Sequence, residues 1–140
     1  MITKEDIKNK LEEILKDSPI FIVELKNNNN KIIIHLDTNE GIKLKECSAV
    51  NRSLNEAFGE AMDDITLEVS SPGLSSAFKV FEQYSKNIGN DIQIIENDGV
   101  QHLGKLLSAN KQNLELELKN KEKTIEKIEF SNIKRTTLVF

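Results

Sequence analysis

Two stretches in the first half of the chain have the hydrophobic pattern of amphipathic helices. In residues 4–17, apolar side chains recur with the 3.6-residue period of one helix face: Ile7, Leu11, Ile14 and Leu15. Thr3 and Asp6 match a capping box at the start of this predicted helix. Residues 44–58 predict a second helix, which Gly59 caps or interrupts. Its predicted buried face, extended to residue 61, consists of Cys47, Val50, Leu54, Ala57, Phe58 and Ala61.

Between and after these helices the pattern has a period of two, which predicts strands. Residues 20–26 and 31–37 form an expected hairpin, with a loose tip at Asn27–Asn30 because asparagine tolerates turn geometry. Residues 65–69 alternate again as a short strand. The order α-β-β-α-β predicts helices packed on a three-stranded sheet, an N-terminal α/β domain over residues 1–72.

The second half reads as a run of short strands after a strong turn signal. Pro72-Gly73 marks a domain boundary. The spacing of Phe78, Phe81 and Tyr84 predicts a short helix within a linker over residues 73–90. Residues 91–140 predict an all-β SH3-like or Sm-like barrel, with an OB-fold as the alternative and a 3₁₀ turn before the last strand. Its five expected strands are 91–96, 100–108, 113–119, 122–130 and 134–140. The predicted fold class is therefore α+β.

Composition narrows the classes of function. No apolar run approaches the roughly 20 residues that span a bilayer, and the first residues show no hydrophobic leader. We therefore expect a cytoplasmic protein without membrane contact. The single Cys47 excludes an intrachain disulfide and a cysteine-cluster zinc site. With His35 and His102 far apart in the sequence, we expect no metal and no cofactor.

The same composition gives little support to catalysis. No phosphate-binding P-loop and no dinucleotide-binding glycine motif occurs. Ser70-Ser71-Pro72-Gly73 lacks the first glycine of a hydrolase nucleophile elbow. A hydrolase using Ser71 with His35 is the weakest of the hypotheses. We expect no catalytic residue and a protein that is not an enzyme.

Charge is divided unevenly along the chain. Residues 1–72 carry 9 basic and 14 acidic residues, a net charge of −5, whereas residues 73–140 carry 10 and 9, a net charge of +1. An acidic domain favours a basic partner. In the second half, basic residues on a predicted hairpin and on the last strand are candidate RNA phosphate contacts, or else a charged surface that resists aggregation. They are Lys119, Lys121, Lys123, Lys134 and Arg135.

One segment carries a family resemblance. Ile65-Thr-Leu-Glu-Val-Ser-Ser-Pro-Gly-Leu74 resembles the hallmark of the ribosome maturation factor RimP family, bacterial assembly factors for the small ribosomal subunit. Weaker likenesses follow in order at residues 41–54, 81–89 and 130–139, so that the resemblance covers nearly the whole chain. It implies an N-terminal α/β domain, an SH3-like barrel and a non-catalytic role.

The resemblance also implies partners. Such proteins bind the free small ribosomal subunit precursor. For this chain we expect contact with the ribosomal RNA and with a basic small-subunit protein. We also expect a monomer. The alternative is a general RNA-binding module with an Sm-like barrel, outside ribosome assembly. Five hinge residues either set the angle between the domains or form part of the ribosome-facing surface: Ser70, Ser71, Pro72, Gly73 and Leu74.

Two departures from the family pattern carry predictions. Ser75-Ser76-Ala77 stands where the family usually has an acidic residue, a basic residue and proline, so any role of those charges is in doubt. Lys43 stands where the family commonly has a threonine that begins the second helix. Because a lysine side chain accepts no hydrogen bond, we expect this helix start to be weaker by about 1 kcal/mol, with Asn39 as a substitute cap.

Overall fold

A computed structural model gives the fold and describes residues 2–73 and 76–139. The chain forms two compact units, Met1–Pro72 and Gly73–Phe140. Each unit has its own cluster of buried hydrophobic side chains. The domain boundaries expected at residues 72 and 90 stay a prediction, and Leu74 and Ser75 lie outside the described residues.

The first unit has the predicted α-β-β-α-β order. Its elements are α1 (Lys4–Ile14), β1 (Phe21–Asn28), β2 (Lys31–Asp37), α2 (Leu44–Phe58), a 3₁₀ turn (Gly59–Met62) and β3 (Thr66–Ser70). The central strand β2 pairs antiparallel with β1 and parallel with β3. Apolar residues of both helices pack against the sheet in one core: Ile7, Leu11, Leu15, Leu25, Ile32, Ile34, Leu36, Val50 and Leu54.

Three local predictions for this unit were wrong. Helix α1 ends at Ile14 rather than residue 17. The hairpin tip is tight, because Asn28 pairs with Lys31 and only Asn29 and Asn30 lie between the strands, with Asn29 at φ +55°. Ala57 and Ala61 are exposed and Met62 is buried instead. The chain leaves the α-helical path at Gly59, so later residues no longer follow the 3.6-residue period.

The start of α2 has no side-chain cap from Lys43, as expected for a lysine at this position. The Thr3 hydroxyl at the start of α1 accepts from the Asp6 N–H at 3.1 Å, whereas the Lys43 side chain offers no such cap. Glu46 accepts from the Lys43 N–H at 3.0 Å, which satisfies one half of a capping box. In the described part of the chain, Asn39 makes no hydrogen bond to the helix start, so its expected role as a substitute cap was wrong.

Replacing Lys43 by threonine should therefore stabilise the first unit by about 1 kcal/mol, because a hydroxyl would accept a free N–H of the first turn. Chemical denaturation followed by helical circular dichroism measures this, since α1 and α2 supply most of the helix. Lys45→Thr is the matched control. It removes the same charge inside the helix and should cost a few tenths of a kcal/mol. Equal effects of both variants would refute the capping explanation.

The second unit confirms the SH3-like prediction. After α3 (Phe81–Lys86) come β4 (Asp91–Glu96), β5 (Gln101–Ala109), β6 (Asn113–Leu118), β7 (Ile125–Glu129), a 3₁₀ turn (Phe130–Asn132) and β8 (Ile133–Leu138). The antiparallel sheet has the order β7-β6-β5-β4-β8. The fifth strand thus returns beside the first, as in SH3-like folds. Strand β7 is shorter than the expected range 122–130 at both ends. Strand β8 begins before and ends before the expected range 134–140.

Tyr84 ties α3 to the last strand. Its hydroxyl donates to the Thr136 hydroxyl at 2.7 Å, and only 8% of Tyr84 and 1% of Thr136 are exposed. The ring packs with the core of the sheet. Helix α3 is therefore part of this unit's core, where the sequence had placed it in a linker.

Replacing Tyr84 by phenylalanine should lower the free energy of unfolding by about 1–2 kcal/mol, because it leaves the buried Thr136 hydroxyl without its donor. Burial also raises the pKa of Tyr84 above 10.0, partly offset by the Thr136 hydrogen bond. The stability gained from the neutral phenol is complete below pH 10 and is lost as the pH rises through the higher pKa of the folded state.

Denaturation of both proteins at neutral and alkaline pH, followed through the NMR methyl signals of Ile92 and Ile94 in the core of the second unit, measures these two effects. The gap between wild type and Tyr84→Phe should narrow above pH 10. A gap that is constant across this range would contradict the assigned pKa direction. Thr136→Val serves as the partner control, since it removes the acceptor rather than the donor.

Candidate functional site

The described part of the second unit contains a groove of about 300 Å³. Aromatic and basic residues supply most of its lining. We call it the basic groove and define it by eight of these residues: Phe78, Lys79, Phe81, Tyr84, Lys111, Phe130, Lys134 and Arg135.

One wall of the basic groove is the segment that leads into α3. The Phe78 N–H donates to the Thr136 carbonyl at 2.8 Å, which fixes this segment against β8. The buried Gln83 carboxamide oxygen accepts from the N–H groups of Lys79 and Val80. These bonds satisfy backbone donors at the start of a helix that has no hydroxyl or carboxylate cap. Phe78 and Lys79 therefore have a fixed backbone.

The opposite wall comes from two turns of the sheet. Asn110 accepts from the N–H groups of Gln112 and Asn113 at 2.7 and 2.9 Å, and so shapes the β5–β6 turn that carries Lys111. The Phe130 N–H donates to the Gln112 carbonyl at 3.0 Å. The strands thereby bring Lys111 and Phe130 to the same edge of the sheet.

The aromatic rings form a connected chain. Tyr84 makes edge-to-face contacts with Phe78 and Phe130, at 5.0 and 4.9 Å between ring centroids. Phe130 makes a third such contact with Phe81 at 6.2 Å. This is a favourable arrangement for aromatic pairs. Because Tyr84 is buried in the core, it fixes the half-exposed Phe78 and Phe130, and Phe130 in turn contacts the half-exposed Phe81.

The floor of the basic groove contains a β-bulge. Glu96 pairs with Ile133 and Ile95 pairs with Arg135, which leaves Lys134 with no opposite residue. In a regular strand, consecutive side chains point to opposite faces. The extra residue breaks that alternation beside Lys134 and Arg135, which are both exposed and both line the groove.

The electrostatics favour an anion. Lys79, Lys111, Lys134 and Arg135 line the groove, and no lining residue is acidic. The Lys111 Nζ lies 5.1 Å from the centroid of the Phe81 ring, a cation–π contact. Like charges around one concavity reinforce each other's potential. A groove with cations beside aromatic faces can hold a phosphate and an adjacent planar group.

The predicted lysines of the hairpin lie elsewhere. Lys119, Lys121 and Lys123 lie between β6 and β7, at the end of β6 opposite Lys111. The length of β6 separates them from the groove by about 20 Å. Lys119 forms an ion pair with Asp91 at 3.1 Å, whereas Lys121 and Lys123 are exposed. The structure therefore divides the predicted basic residues into two separate surfaces.

The predicted hinge residues follow the edge strand of the first unit. Ser70 ends β3 opposite His35, Ser71 is exposed and Pro72 is half-buried. Gly73 accepts through its carbonyl from the Ser76 N–H at 3.0 Å. Leu74 lies outside the described residues. Whether any of these residues contacts a partner stays a prediction.

Six of the eight groove residues were not among the predicted site residues: Phe78, Lys79, Phe81, Tyr84, Lys111 and Phe130. They come from separate parts of the sequence and share no local motif. The spacing of Phe78, Phe81 and Tyr84 predicted a short helix and no binding site. The only available signal was aromatic residues close to basic ones in three distant segments, and this pattern is not specific without a fold.

Candidates for other chemistry remain isolated. Within residues 2–73 and 76–139, no group of three or more histidine, cysteine, aspartate or glutamate residues could hold a metal ion. Cys47 is a free, buried thiol whose pKa is raised, chiefly by burial. The His102 Nε2 lies 3.0 Å from a Glu96 carboxylate oxygen. In the same ranges, no helix has the length and apolar character to cross a membrane.

Comparison with known proteins extends these observations. The family model for the RimP N-terminal domain matches residues 10–75. A ribosome maturation factor RimP of Flavobacterium psychrophilum is 40% identical over 96 residues, which cover 67% of this chain and 62% of that protein. The RimP of Christiangramia forsetii is 33% identical over 122 residues, 85% of this chain and 78% of that protein. The RimP of Porphyromonas gingivalis is 29% identical over 119 residues, which cover 84% of this chain and 78% of that protein.

An α-β-β-α-β unit followed by an SH3-like unit with a basic groove defines a class of two-unit α+β proteins. The family model covers most of the first unit, and the match to the Christiangramia forsetii protein, over 85% of this chain, extends into both units. The chain belongs to the ribosome maturation factor RimP family. The resemblance noted at Ile65–Leu74 is thereby confirmed.

Proposed function

We propose that this protein binds the free, immature small ribosomal subunit in the cytoplasm and assists its assembly without making or breaking a covalent bond. The observation that carries the proposal is the basic groove in a member of this family. A binding protein assists assembly if it prefers one conformation of the precursor, since its differential affinity shifts the population toward that conformation.

The two units suit two kinds of partner. Ribosomal RNA is a polyanion, and the four cations of the basic groove match it. The first unit has a net charge of −5, which suits a basic small-subunit protein. The hinge residues Ser70–Leu74 and the hairpin lysines Lys119, Lys121 and Lys123 belong to the proposed contact surface. The protein acts as a monomer in this proposal.

A second candidate is a general RNA-binding module. The chemistry of the basic groove favours it, because cations and aromatic rings contact RNA whether or not it belongs to a ribosome. This candidate predicts binding to arbitrary RNA that weakens steeply with salt. The first proposal predicts a preference for free small subunits that persists when competing RNA is added.

Co-sedimentation tests the choice. The purified protein is mixed with free small subunits, large subunits or assembled ribosomes, with and without excess transfer RNA as competitor. We expect it to sediment with free small subunits alone and to resist the competitor. Binding to all three particles alike, removed by the competitor, would favour the general RNA-binding module. Binding to none of them would contradict both.

A further inference from the structure

The geometry points to the form of RNA that the basic groove takes. We propose that it binds one unpaired nucleotide of a single-stranded segment, with the base against Phe81 and Phe130 and the phosphate at Lys134 and Arg135. This inference rests on the proposed function, since it names the RNA element that the same site would recognise. It also concerns the groove by itself and can be tested without ribosomes.

The size of the groove limits what can enter. Its volume of about 300 Å³ is at the lower end of the range for small-ligand sites. One planar base fits such a space. A base within a duplex stays paired and stacked, so it does not enter the groove. Proteins that contact individual RNA bases accordingly bind loops, bulges and single strands, whose bases can turn outward.

The aromatic lining suits a base better than another anion. Phe81 and Phe130 are half-exposed, and their mutual edge-to-face contact leaves ring surface facing the groove. The Lys111 ammonium group lies 5.1 Å from the centroid of the Phe81 ring, where it can contact a second phosphate of the bound segment. Every base has a π-face, so stacking on phenylalanine tolerates any sequence.

The charges suit a phosphodiester. Arginine binds phosphate through two parallel hydrogen bonds, and lysine adds a mobile point charge. Lys134 and Arg135 supply both types of side chain at successive positions of β8, and both residues line the groove. A basic peptide would be repelled by this set. An acidic peptide would meet the charge requirement but would gain nothing from the aromatic faces.

Fluorescence anisotropy with a labelled ten-nucleotide oligouridine tests the inference. Phe81→Leu keeps an apolar side chain of similar size and removes the aromatic face. We expect it to raise the dissociation constant about fivefold or more, while Phe81→Tyr stays within about twofold of wild type. Tyrosine fluorescence of the Phe81→Leu variant on heating establishes that it is folded. The same RNA as a duplex should bind more weakly than the single strand.

The salt dependence tests the phosphate contacts. Replacing Lys134 and Arg135 by alanine should reduce the slope of log affinity against log salt by about 1.4, because each phosphate contact on a single strand contributes about 0.7. The matched variant Lys105→Ala with Lys127→Ala removes the same charge from exposed positions that do not line the groove. It should leave the effect of Phe81→Leu intact when the two are combined.

Several results would overturn the inference. Unchanged oligouridine affinity of Phe81→Leu would do so, as would duplex RNA binding as tightly as the single strand. Displacement of the RNA by a polyglutamate peptide, with the same dependence on Phe81, would assign the groove to acidic peptides. If oligouridine behaves as expected but wild type fails to sediment with free small subunits, the proposed function fails and the groove assignment stands. If wild type sediments but Phe81 has no effect on the oligonucleotide, only the groove assignment fails.

Discussion

Replacing Gly104 by alanine is expected to lower the free energy of unfolding of the second unit by about 3 kcal/mol. Gly104 is buried in β5, between Ile92 of β4 and Leu118 of β6. An added Cβ would lie 2.3 Å from the Glu117 carbonyl oxygen and 2.9 Å from the Leu116 Cγ. Because the carbonyl belongs to the neighbouring strand, relief of this overlap requires the sheet to move apart.

Intrinsic fluorescence in a denaturant titration measures this loss selectively. The chain has one tyrosine, Tyr84, and no tryptophan, so the signal reports on the second unit. Gly73→Ala is the matched control, because its Cβ would meet only the Ser76 hydroxyl at 3.3 Å and its φ is not positive. We expect a change of about 0.5 kcal/mol or less there. A loss below 1 kcal/mol at Gly104 would contradict the predicted overlap.

Reversing the charge of Lys134 and Arg135 to glutamate should weaken binding to free small subunits by about 100-fold or more. The double variant removes two cations from the basic groove and adds two anions, so attraction to phosphate becomes repulsion. Both side chains are exposed. We therefore expect the variant to fold normally, since surface substitutions away from packing features have small effects on stability.

The comparison with the hairpin gives this experiment its control. Lys121→Glu with Lys123→Glu makes the same change in charge about 20 Å away, and we expect a loss of less than about tenfold. Sedimentation at several protein concentrations yields both affinities. Equal losses would show that only the net charge of the second unit matters. A larger loss at the hairpin would place the main RNA contact there and refute the groove as the principal site.

The sequence predicted most elements because their causes are local. Residues 31–37 carry Ile32, Ile34 and Leu36 at every second position and form β2 over that range, and residues 44–58 form α2 as expected. The errors occur where a local pattern meets a tertiary constraint. The Asn27–Asn30 run looks like a loop, but pairing of Asn28 with Lys31 extends both strands. Helix α2 ends before Gly59, so Ala61 no longer follows the helical period. The sequence pattern did not show whether Gly59 ends the helix or only interrupts it.

The candidate site was only partly predictable. Lys134 and Arg135 were singled out from charge, and the structure places both at the groove. The bulge at Lys134 depends on the pairing of β8 with β4, which no local pattern indicates. Lys79 and Lys111 were not singled out as site residues, because nothing in the sequence relates them to each other.

By itself the sequence determined the order of the elements, the turn between the two units and membership of the family. Periodicity and turn residues act over a few positions, and the family motif at Ile65–Leu74 is contiguous. Only the tertiary structure decided that β3 pairs parallel to β2, and that distant cations and aromatic rings share one groove. Such contacts join residues far apart in the chain, as Tyr84 and Thr136 do across 52 positions. Their formation depends on the packing of the whole unit, which no short segment encodes.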